Sequence, residues 1–256
     1  MRRHFKAKVI DNNFAAESFK LITLSPASEV SVPLPGQFYM LESGRSTDPL
    51  LKRPFSIFRL NDGCLQFLYR VRGKGTTSIA GFNRGDFINV VGPLGKAYPD
   101  PEGPFIAVAG GVGIASLYSL LEKKRGKAML FYGARNVREL ICFEEASKLS
   151  AKAFSTTDDG SSGVKGLVTD KLSEFIKNEG RSMPVYACGP HPMLKKVAEI
   201  AKHNNLKCYV SLEEHMACGI GACLGCVVKS KSSAVEYEYK RVCKEGPVFD
   251  ADEVLW

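Results

Sequence analysis

The chain has 256 residues, of which 45% are hydrophobic and 24% are charged. This composition is typical of globular proteins and excludes a wholly disordered chain, and the length predicts one large domain or two modest ones. The net charge of +8 is not gathered into runs of Lys and Arg, so we expect no nucleic-acid partner.

The N-terminus does not resemble a targeting signal. It begins with basic residues, but Lys6, Lys8 and Asp11 interrupt any apolar signal core. The most apolar stretch, residues 105–121, contains three glycines and predicts a strand, a turn and a helix instead of a membrane span. We therefore expect a cytoplasmic protein with no membrane partner.

Residues 1–99 predict an antiparallel β-barrel. Turn-forming segments separate short stretches that are rich in aromatic and β-branched residues. Six such stretches without long helices between them are typical of a small barrel. The predicted strands are residues 5–10, 19–24, 37–42, 54–60, 64–72 and 87–91, with a short helix at 76–80.

A proline-rich linker at residues 99–104 precedes a change of pattern. Over residues 100–211 strands alternate with helices at short spacing, which predicts a Rossmann-like parallel α/β domain. We expect strands at residues 105–109, 128–132, 153–156, 185–187 and 208–212, and helices at 114–124, 137–149, 170–178 and 192–203. Residues 212–256 then form a third, small module that contains four cysteines and needs a metal to stabilise it.

The spacing of these four cysteines is the most specific motif in the chain. Cys218, Cys223 and Cys226 follow a C-x4-C-x2-C pattern, and Cys243 comes 16 residues later. This pattern is typical of plant-type 2Fe–2S ligation by four thiolates. A structural zinc site and four unligated thiols are the alternatives, although zinc sites favour cysteine pairs two to four residues apart.

Two short motifs in the predicted barrel indicate a site for a phosphorylated ligand. Arg53 begins an Arg-Pro-Phe-Ser motif, and its guanidinium can clamp a diphosphate while Ser56 donates to a ring atom. Gly75, Thr76 and Thr77 follow at the start of a predicted helix, where anions bind. The alternative is a charged barrel edge with a glycine turn.

Two further motifs lie where predicted strands of the α/β domain end. Gly110, Gly111 and Gly113 form a strand-to-helix turn that can present backbone N–H groups to a pyrophosphate, although Ser116 replaces the usual third glycine. Cys188-Gly189-Pro190 ends another strand, which makes Cys188 a candidate catalytic residue beside a nicotinamide. A tight turn and an inert buried thiol are the alternatives.

Together these motifs resemble the ferredoxin–NADP reductase superfamily. The stretch from Ser211 to Cys226, with Cys243-Lys-Glu-Gly-Pro-Val-Phe249, is similar to electron-transfer subunits of dihydroorotate dehydrogenase B, and the resemblance covers essentially the whole chain. It implies FAD in the barrel, a 2Fe–2S cluster on the four cysteines, and NAD as electron acceptor. It assigns to FAD the residues Arg53, Pro54, Phe55, Ser56, Arg70, Val71, Gly75, Thr76 and Thr77. It assigns to NAD the residues Gly110, Gly111, Gly113, Cys188, Gly189 and Pro190.

The same resemblance implies a partner and a pathway. Members of this family pair with an FMN-containing catalytic subunit that oxidises dihydroorotate, so we expect a heterotetramer with two copies of each chain. Electrons would pass from FMN to the cluster, then to FAD and NAD⁺, in de novo pyrimidine biosynthesis.

Two other functions remain open from the sequence alone. One is a flavin and iron–sulfur subunit of a hydrogenase or of a ferredoxin-dependent NAD(P) oxidoreductase, and the other is a regulatory module with structural zinc. The choice between NAD and NADP is open on the residues, because Arg135 and Arg138 could bind a 2′-phosphate, and the resemblance favours NAD.

Overall fold

The computed structural model describes residues 3–44, 48–179 and 182–256. Its first part is an antiparallel sheet of seven strands in the order β4-β3-β7-β1-β2-β6-β5. A helix, α1 (Lys74–Ala80), connects β6 to β7. The strands are β1 (Arg3–Ala16), β2 (Phe19–Pro26), β3 (Phe38–Leu41), β4 (Arg53–Ser56), β5 (Arg59–Asn61), β6 (Cys64–Arg70) and β7 (Phe87–Leu94).

This sheet closes on itself, which confirms the predicted barrel with two corrections. The strand predicted at residues 5–10 is longer, since β1 extends to Ala16. The predicted strand at residues 54–60 is two strands, β4 and β5, which lie at opposite ends of the sheet order. The two residues between them join these ends: the Ile57 N–H donates to the Gln37 carbonyl (2.9 Å), and the Phe58 N–H donates to the Gln66 carbonyl (3.0 Å). One continuous segment therefore pairs with both edges and closes the barrel.

The second part is a seven-stranded sheet in the order β11-β10-β9-β8-β12-β13-β16. All of its pairs are parallel except the one between β13 and β16. Every residue of β8 is buried, as expected for the central strand of a sheet that is covered on both faces. The strands up to β13 are β8 (Phe105–Gly110), β9 (Ala128–Ala134), β10 (Lys152–Thr157), β11 (Val164–Lys165), β12 (Val185–Cys188) and β13 (Cys208–Ser211).

Four helices lie along this sheet, and three of them agree with the prediction to within two residues at each end. The predicted helix at residues 137–149 is wrong. Cys142 has a positive φ of 55°, which no helix interior accepts, so a 3₁₀ turn at Val137–Glu139 and a separate short helix replace it. The helices are α2 (Ile114–Lys123), α3 (Phe143–Leu149), α4 (Val168–Asn178) and α5 (His191–His203).

The C-terminal part of the chain has little regular structure. Two strands, β14 (Val227–Ser230) and β15 (Glu238–Arg241), form a hairpin of their own. The last strand, β16 (Val248–Asp250), instead pairs antiparallel with β13 at the edge of the α/β sheet. Val242, Cys243 and Phe249 consequently share one buried cluster with residues of that sheet.

Barrel and α/β domain are held together by packing and by charge. The rings of Phe58 and Tyr118 stack with centroids 4.1 Å apart. Three ion pairs also cross the interface: Arg59 with Glu122 (3.5 Å), Arg70 with Glu139 (3.1 Å), and Arg138 with Glu17 (3.2 Å). Within the described residues, no helix is both long and apolar enough to cross a membrane.

Candidate functional site

The two glycine motifs of the α/β domain meet at one edge of the sheet. β8 and β12 are parallel neighbours with Ala109 opposite Cys188, so their carboxyl ends coincide. A Cβ on Gly113 would collide with the Cys188 carbonyl, and a Cβ on Gly189 would lie 3.0 Å from the Gly110 Cα. Only glycine therefore allows the two turns to pack together where nucleotides bind in open α/β sheets.

Gly111 differs from the other glycines of these turns. It has a φ of +52°, and a Cβ there would meet nothing within 4 Å. The turn is thus open to solvent beside the first residues of α2, whose N–H groups lie at the same edge. A pyrophosphate can approach the backbone here without meeting a side chain. Pro190, the residue before α5, lies next to Gly110: a Cβ on Gly110 would be 2.7 Å from its Cδ.

The serine in place of the third glycine has a structural explanation. Ser116 is buried on α2, and its hydroxyl lies 3.2 Å from the Tyr98 hydroxyl and 3.5 Å from the Ser211 hydroxyl. These contacts join the end of the barrel segment, α2 and β13 in the core. In the sequence, Ser116 stands out only because it replaces the usual third glycine, and the network itself is visible only in the structure.

Cys188 is 2% exposed and lies among these hydroxyl groups. Burial, with a smaller contribution from the Glu213 carboxylate, raises the pKa of its thiol to about 12, even though Ser211 and Ser116 hydrogen-bond to the sulfur. A raised pKa means that the thiol keeps its proton throughout the neutral range. The geometry therefore favours an uncharged group beside the turn over a thiolate nucleophile.

The flavin candidates of the barrel converge on the start of α1. A Cβ on Gly75 would collide with Nε of Arg53, so the guanidinium lies directly against the first turn of this helix. Arg53 Nη1 also donates to the Leu51 carbonyl (2.7 Å), which holds the side chain in place. Arg53 and the backbone of Gly75 thus form one cationic, donor-rich corner that suits a diphosphate.

The sequence predicts that Thr76 and Thr77 bind an anion at the start of the helix, but in the structure both also hydrogen-bond within the turn that precedes it. The Thr76 hydroxyl accepts the N–H groups of Arg72 (2.9 Å) and Gly73 (3.2 Å), so it organises the turn before the helix. The Thr77 N–H donates to the Gly73 carbonyl within the same turn. Lys74, the first residue of α1, is ion-paired with Asp48.

The other flavin candidates lie on the neighbouring strands. Pro54, Phe55 and Ser56 belong to β4, and the Phe55 ring contacts that of Tyr69 on β6 with centroids 5.4 Å apart. At the end of β6, Arg70 pairs with Glu139 and lies over the Phe19 ring, and Val71 follows it, half-buried. Of these candidates, only Arg70 lines a cleft of about 260 Å³ between the barrel and the α/β domain, whose lining is Glu17, Ser18, Phe19, Arg70, Asn136, Arg138 and Glu139.

The four clustered cysteines form two pairs. Cys218 and Cys223 lie on a loop and are half-buried and exposed, whereas Cys226 and Cys243 are 2% and 1% exposed. The Cys243 N–H donates to the Cys226 sulfur (3.4 Å), and the Cys223 N–H donates to the Cys218 sulfur (3.4 Å). Burial, and after it the sulfurs of Cys226 and Cys218, raise the pKa of Cys243. Among the described residues, no three His, Cys, Asp or Glu side chains are grouped as they would be around a metal ion, so the structure brings the cysteines together as pairs.

The residues of this loop fit an iron–sulfur cluster. Gly219, Gly221 and Leu224 have positive φ angles of 69°, 87° and 58°, and this backbone turns its N–H groups towards sulfur. The Ala222 N–H also donates to the Cys218 sulfur at 3.4 Å. Although burial raises the pKa of Cys218, these N–H groups outweigh it and lower the pKa to about 6, which favours the thiolate form that metals require.

One residue that sequence reasoning did not identify holds the loop. Arg241 Nη1 donates to the Gly221 carbonyl (2.8 Å), and its other nitrogens pair with Glu245. Arg241 and Glu245 belong to no sequence motif comparable to the cysteine pattern. Only the three-dimensional structure therefore shows that they lie next to the cysteines.

Comparison with protein families identifies two matching segments. Residues 213–255 match the iron–sulfur cluster binding domain of dihydroorotate dehydrogenase B. Residues 107–199 match the oxidoreductase NAD-binding domain. The first segment contains all four clustered cysteines, and the second contains both glycine turns.

Similar proteins align with the whole chain. A "Dihydroorotate dehydrogenase B (NAD(+)), electron transfer subunit" from Caldanaerobacter subterraneus subsp. tengcongensis is 41% identical over 257 residues, covering 100% of both chains. Subunits with the same name from Desulforamulus reducens and Bacillus caldolyticus are 35% and 38% identical, over 100% and 96% of this chain and the same shares of their own length.

Solved structures agree in fold. The structure of an NADH-dependent reduced ferredoxin–NADP oxidoreductase, described in connection with flavin-based electron bifurcation, superimposes with a TM-score of 0.85 at 28% identity, covering 98% of this chain and 90% of the other. Ferredoxin–NADP⁺ reductase from Plasmodium falciparum matches in fold, with a TM-score of 0.63 at 18% identity over 78% of this chain and 91% of its own.

The contact between the two glycine turns predicts the effect of a single methyl group. Gly113→Ala should lower the free energy of unfolding by about 1–3 kcal/mol, because the new Cβ must displace the Cys188 backbone. It should also raise the KM for NADH. Urea unfolding and an NADH–dye assay measure the two effects. Gly103→Ala is the control, since its Cβ meets nothing within 4 Å, and equal effects of both changes would contradict the close packing.

The candidate ligand set makes a second prediction. Purified protein should contain about two iron atoms and two acid-labile sulfides per chain, as this pattern of ligation requires. Cys226→Ser should abolish the visible iron–sulfur absorbance, whereas Cys64→Ser, at a half-buried cysteine of the barrel, should keep it. Metal analysis that finds stoichiometric zinc without sulfide would show the ligand set to be wrong.

Proposed function

Because the chain belongs to the family of dihydroorotate dehydrogenase B electron transfer subunits, we propose that it carries electrons between a dihydroorotate-oxidising catalytic subunit and NAD. The matching names and the two matched segments support an oxidoreductase subunit that uses an iron–sulfur cluster, FAD and NAD. Its place is in pyrimidine biosynthesis, where dihydroorotate is oxidised.

The observation that supports this proposal is that the cysteine module contacts both the barrel and the α/β domain. A Cβ on Gly219, inside the cysteine loop, would lie 2.5 Å from Met40 on barrel strand β3. Strand β4 with Arg53 pairs with the same β3. On the other side, β16 joins the cysteine module to the α/β sheet. A relay from cluster to flavin to nicotinamide needs such adjacency.

The order of this relay follows from chemistry. When bound, a flavin exchanges electron pairs with NAD as hydride and single electrons with an iron–sulfur cluster, so it belongs between them. The protein's contribution is to bind and position. Arg53 and the Gly75 backbone would bind the FAD diphosphate, and the glycine turns would bind the nucleotide of NAD. The protonated, uncharged thiol of Cys188 would lie next to the nicotinamide.

We assign these tasks to three segments of the chain. Residues 1–99 would bind FAD through Arg53, Pro54, Phe55, Ser56, Arg70, Val71, Gly75, Thr76 and Thr77. Residues 100–211 would bind NAD through Gly110, Gly111, Gly113, Cys188, Gly189 and Pro190. Residues 212–256 would hold the 2Fe–2S cluster on Cys218, Cys223, Cys226 and Cys243.

The catalytic partner is the finer part of the proposal. The relatives are named electron transfer subunits, which implies that another chain oxidises the substrate. We propose an FMN-containing subunit, with two copies of each chain in the complex. The exposed Ile220 and Leu224 beside the cysteines, and the eight acidic against five basic residues of 213–256, make this module the face towards that partner.

The proposed location is the cytoplasm. None of the eight cysteines is in a disulfide, and the proposed ligands must stay reduced to bind iron. A reducing compartment meets this requirement.

The flavin assignment predicts the effect of removing one guanidinium. Arg53→Ala should weaken FAD binding by about 2 kcal/mol, because a charge-assisted hydrogen bond to the diphosphate is lost. The measurement is the FAD content after desalting at low protein concentration. Arg84→Ala is the control, since Arg84 is an exposed arginine of the same barrel. Equal FAD content in both variants would argue against Arg53 as a diphosphate ligand.

The division of labour between two chains predicts a split of activities. The isolated protein should pass electrons from NADH to a dye but should not oxidise dihydroorotate. Co-expression with a candidate FMN-containing catalytic subunit should restore dihydroorotate:NAD⁺ activity. Spectrophotometric assays of both reactions provide the test. Dihydroorotate oxidation by this chain alone would overturn the proposal.

A further inference from the structure

The cysteine loop is attached to the rest of the protein at few points. Between Cys218 and Cys226 it contains no helix or strand, and three of its residues have positive φ angles. Its internal hydrogen bonds run from Ala222 and Cys223 to the Cys218 sulfur. These bonds shape the loop. The Gly221 backbone also hydrogen-bonds to the sulfur of Cys243, which lies in a different segment, and a second connection between the loop and that segment is made at the same glycine.

Arg241 makes that connection. Its Nη1 donates to the Gly221 carbonyl in the middle of the loop at 2.8 Å. Arg241 itself is two residues before Cys243, and its neighbour Val242 donates its N–H to the Cys226 carbonyl (2.8 Å). One guanidinium therefore joins the loop that contains Cys218 and Cys223 to the segment that contains Cys243, and that segment is bonded to Cys226 through Val242.

Glu245 fixes the orientation of this guanidinium. Arg241 Nε donates to Glu245 Oε2 at 2.9 Å, and Nη2 pairs with Oε1 at 2.5 Å. The same carboxylate accepts the Arg241 backbone N–H at 2.8 Å. Both side chains are about one quarter exposed, so the ion pair alone would contribute little to stability. Its bidentate geometry instead directs the remaining nitrogen at Gly221.

We infer that Arg241 is a positioning residue for the iron–sulfur cluster: through Gly221 it sets the distance between the Cys218–Cys223 pair and the Cys226–Cys243 pair. The inference rests on the ligand set of the proposed function. A lysine cannot replace this arginine, since a single ammonium cannot hold the two Glu245 oxygens in the planar fork and reach Gly221 as well. The charge near the sulfurs would be kept, but the geometry would be lost.

The test compares Arg241→Lys and Arg241→Gln with the unmodified full-length protein. Iron release to a colourimetric chelator should be about fivefold faster in both variants, the size expected for one lost hydrogen bond. The EPR spectrum of the reduced cluster should also change its g-anisotropy, which a merely stabilising role far from the cluster would not cause. Arg59→Lys is the matched control, because Arg59 on β5 pairs with Glu122 on α2 and with Gln66 on β6, and none of these residues belongs to the cysteine module.

Two further measurements separate the possible failures. Far-UV circular dichroism and FAD content establish that each variant is folded. If Cys226→Ser keeps an unaltered cluster, the ligand set is wrong and the role of Arg241 falls with it. If Cys226→Ser loses the cluster but Arg241→Lys and Arg241→Gln match the unmodified protein in iron release and EPR, the positioning role alone is overturned.

Discussion

A strand of three residues fixes the three parts of the chain relative to one another. β16 pairs Val248, Phe249 and Asp250 with β13, at the edge of the α/β sheet. Parallel sheets of this kind often leave an edge strand exposed, and here the cysteine module covers it. The pairing buries Phe249 together with Cys226 and Cys243 in the core of the neighbouring domain. A small module that could not form a core alone thereby shares one.

This shared core places the three sites next to one another. The segment that leads into β16 also meets the barrel, where Gly95 leaves room for Pro247, while Gly219 leaves room for Met40 on β3. The ion pairs of Arg70 and Arg138 hold the barrel to the α/β domain at another point. With three mutual contacts, each domain is positioned by both of the others. Such a closed arrangement suits electron transfer, because it keeps the distances between bound groups constant.

The sequence predicted the parts of this structure that depend on local patterns. These patterns are the alternation of strands and helices, the glycines at turns and the spacing of four cysteines. Each reflects a constraint within one short segment, so the sequence alone was enough to predict the order of the α/β elements and to select candidate site residues. Cys142 shows where this fails: its left-handed backbone breaks a helix that periodicity favours. Contacts between residues far apart in the sequence could not be predicted either, for a related reason. Nothing in the sequence shows that Ser116 would meet Tyr98, or that β16 would join β13, since these contacts depend on the assembled fold.

The electrostatics of the cysteine module present an apparent conflict. Four thiolates must lie together in a segment that has eight acidic and five basic side chains. Arg241 lies beside the loop, but it pairs with Glu245 and lowers the pKa of that carboxyl group to about 2, so the carboxylate stays ionised and the pair adds no net charge. The stabilising donors are instead backbone N–H groups from Ala222, Cys223 and Cys243. Fixed dipoles of this kind stabilise negative sulfur without a compensating cation, and so the module can remain acidic.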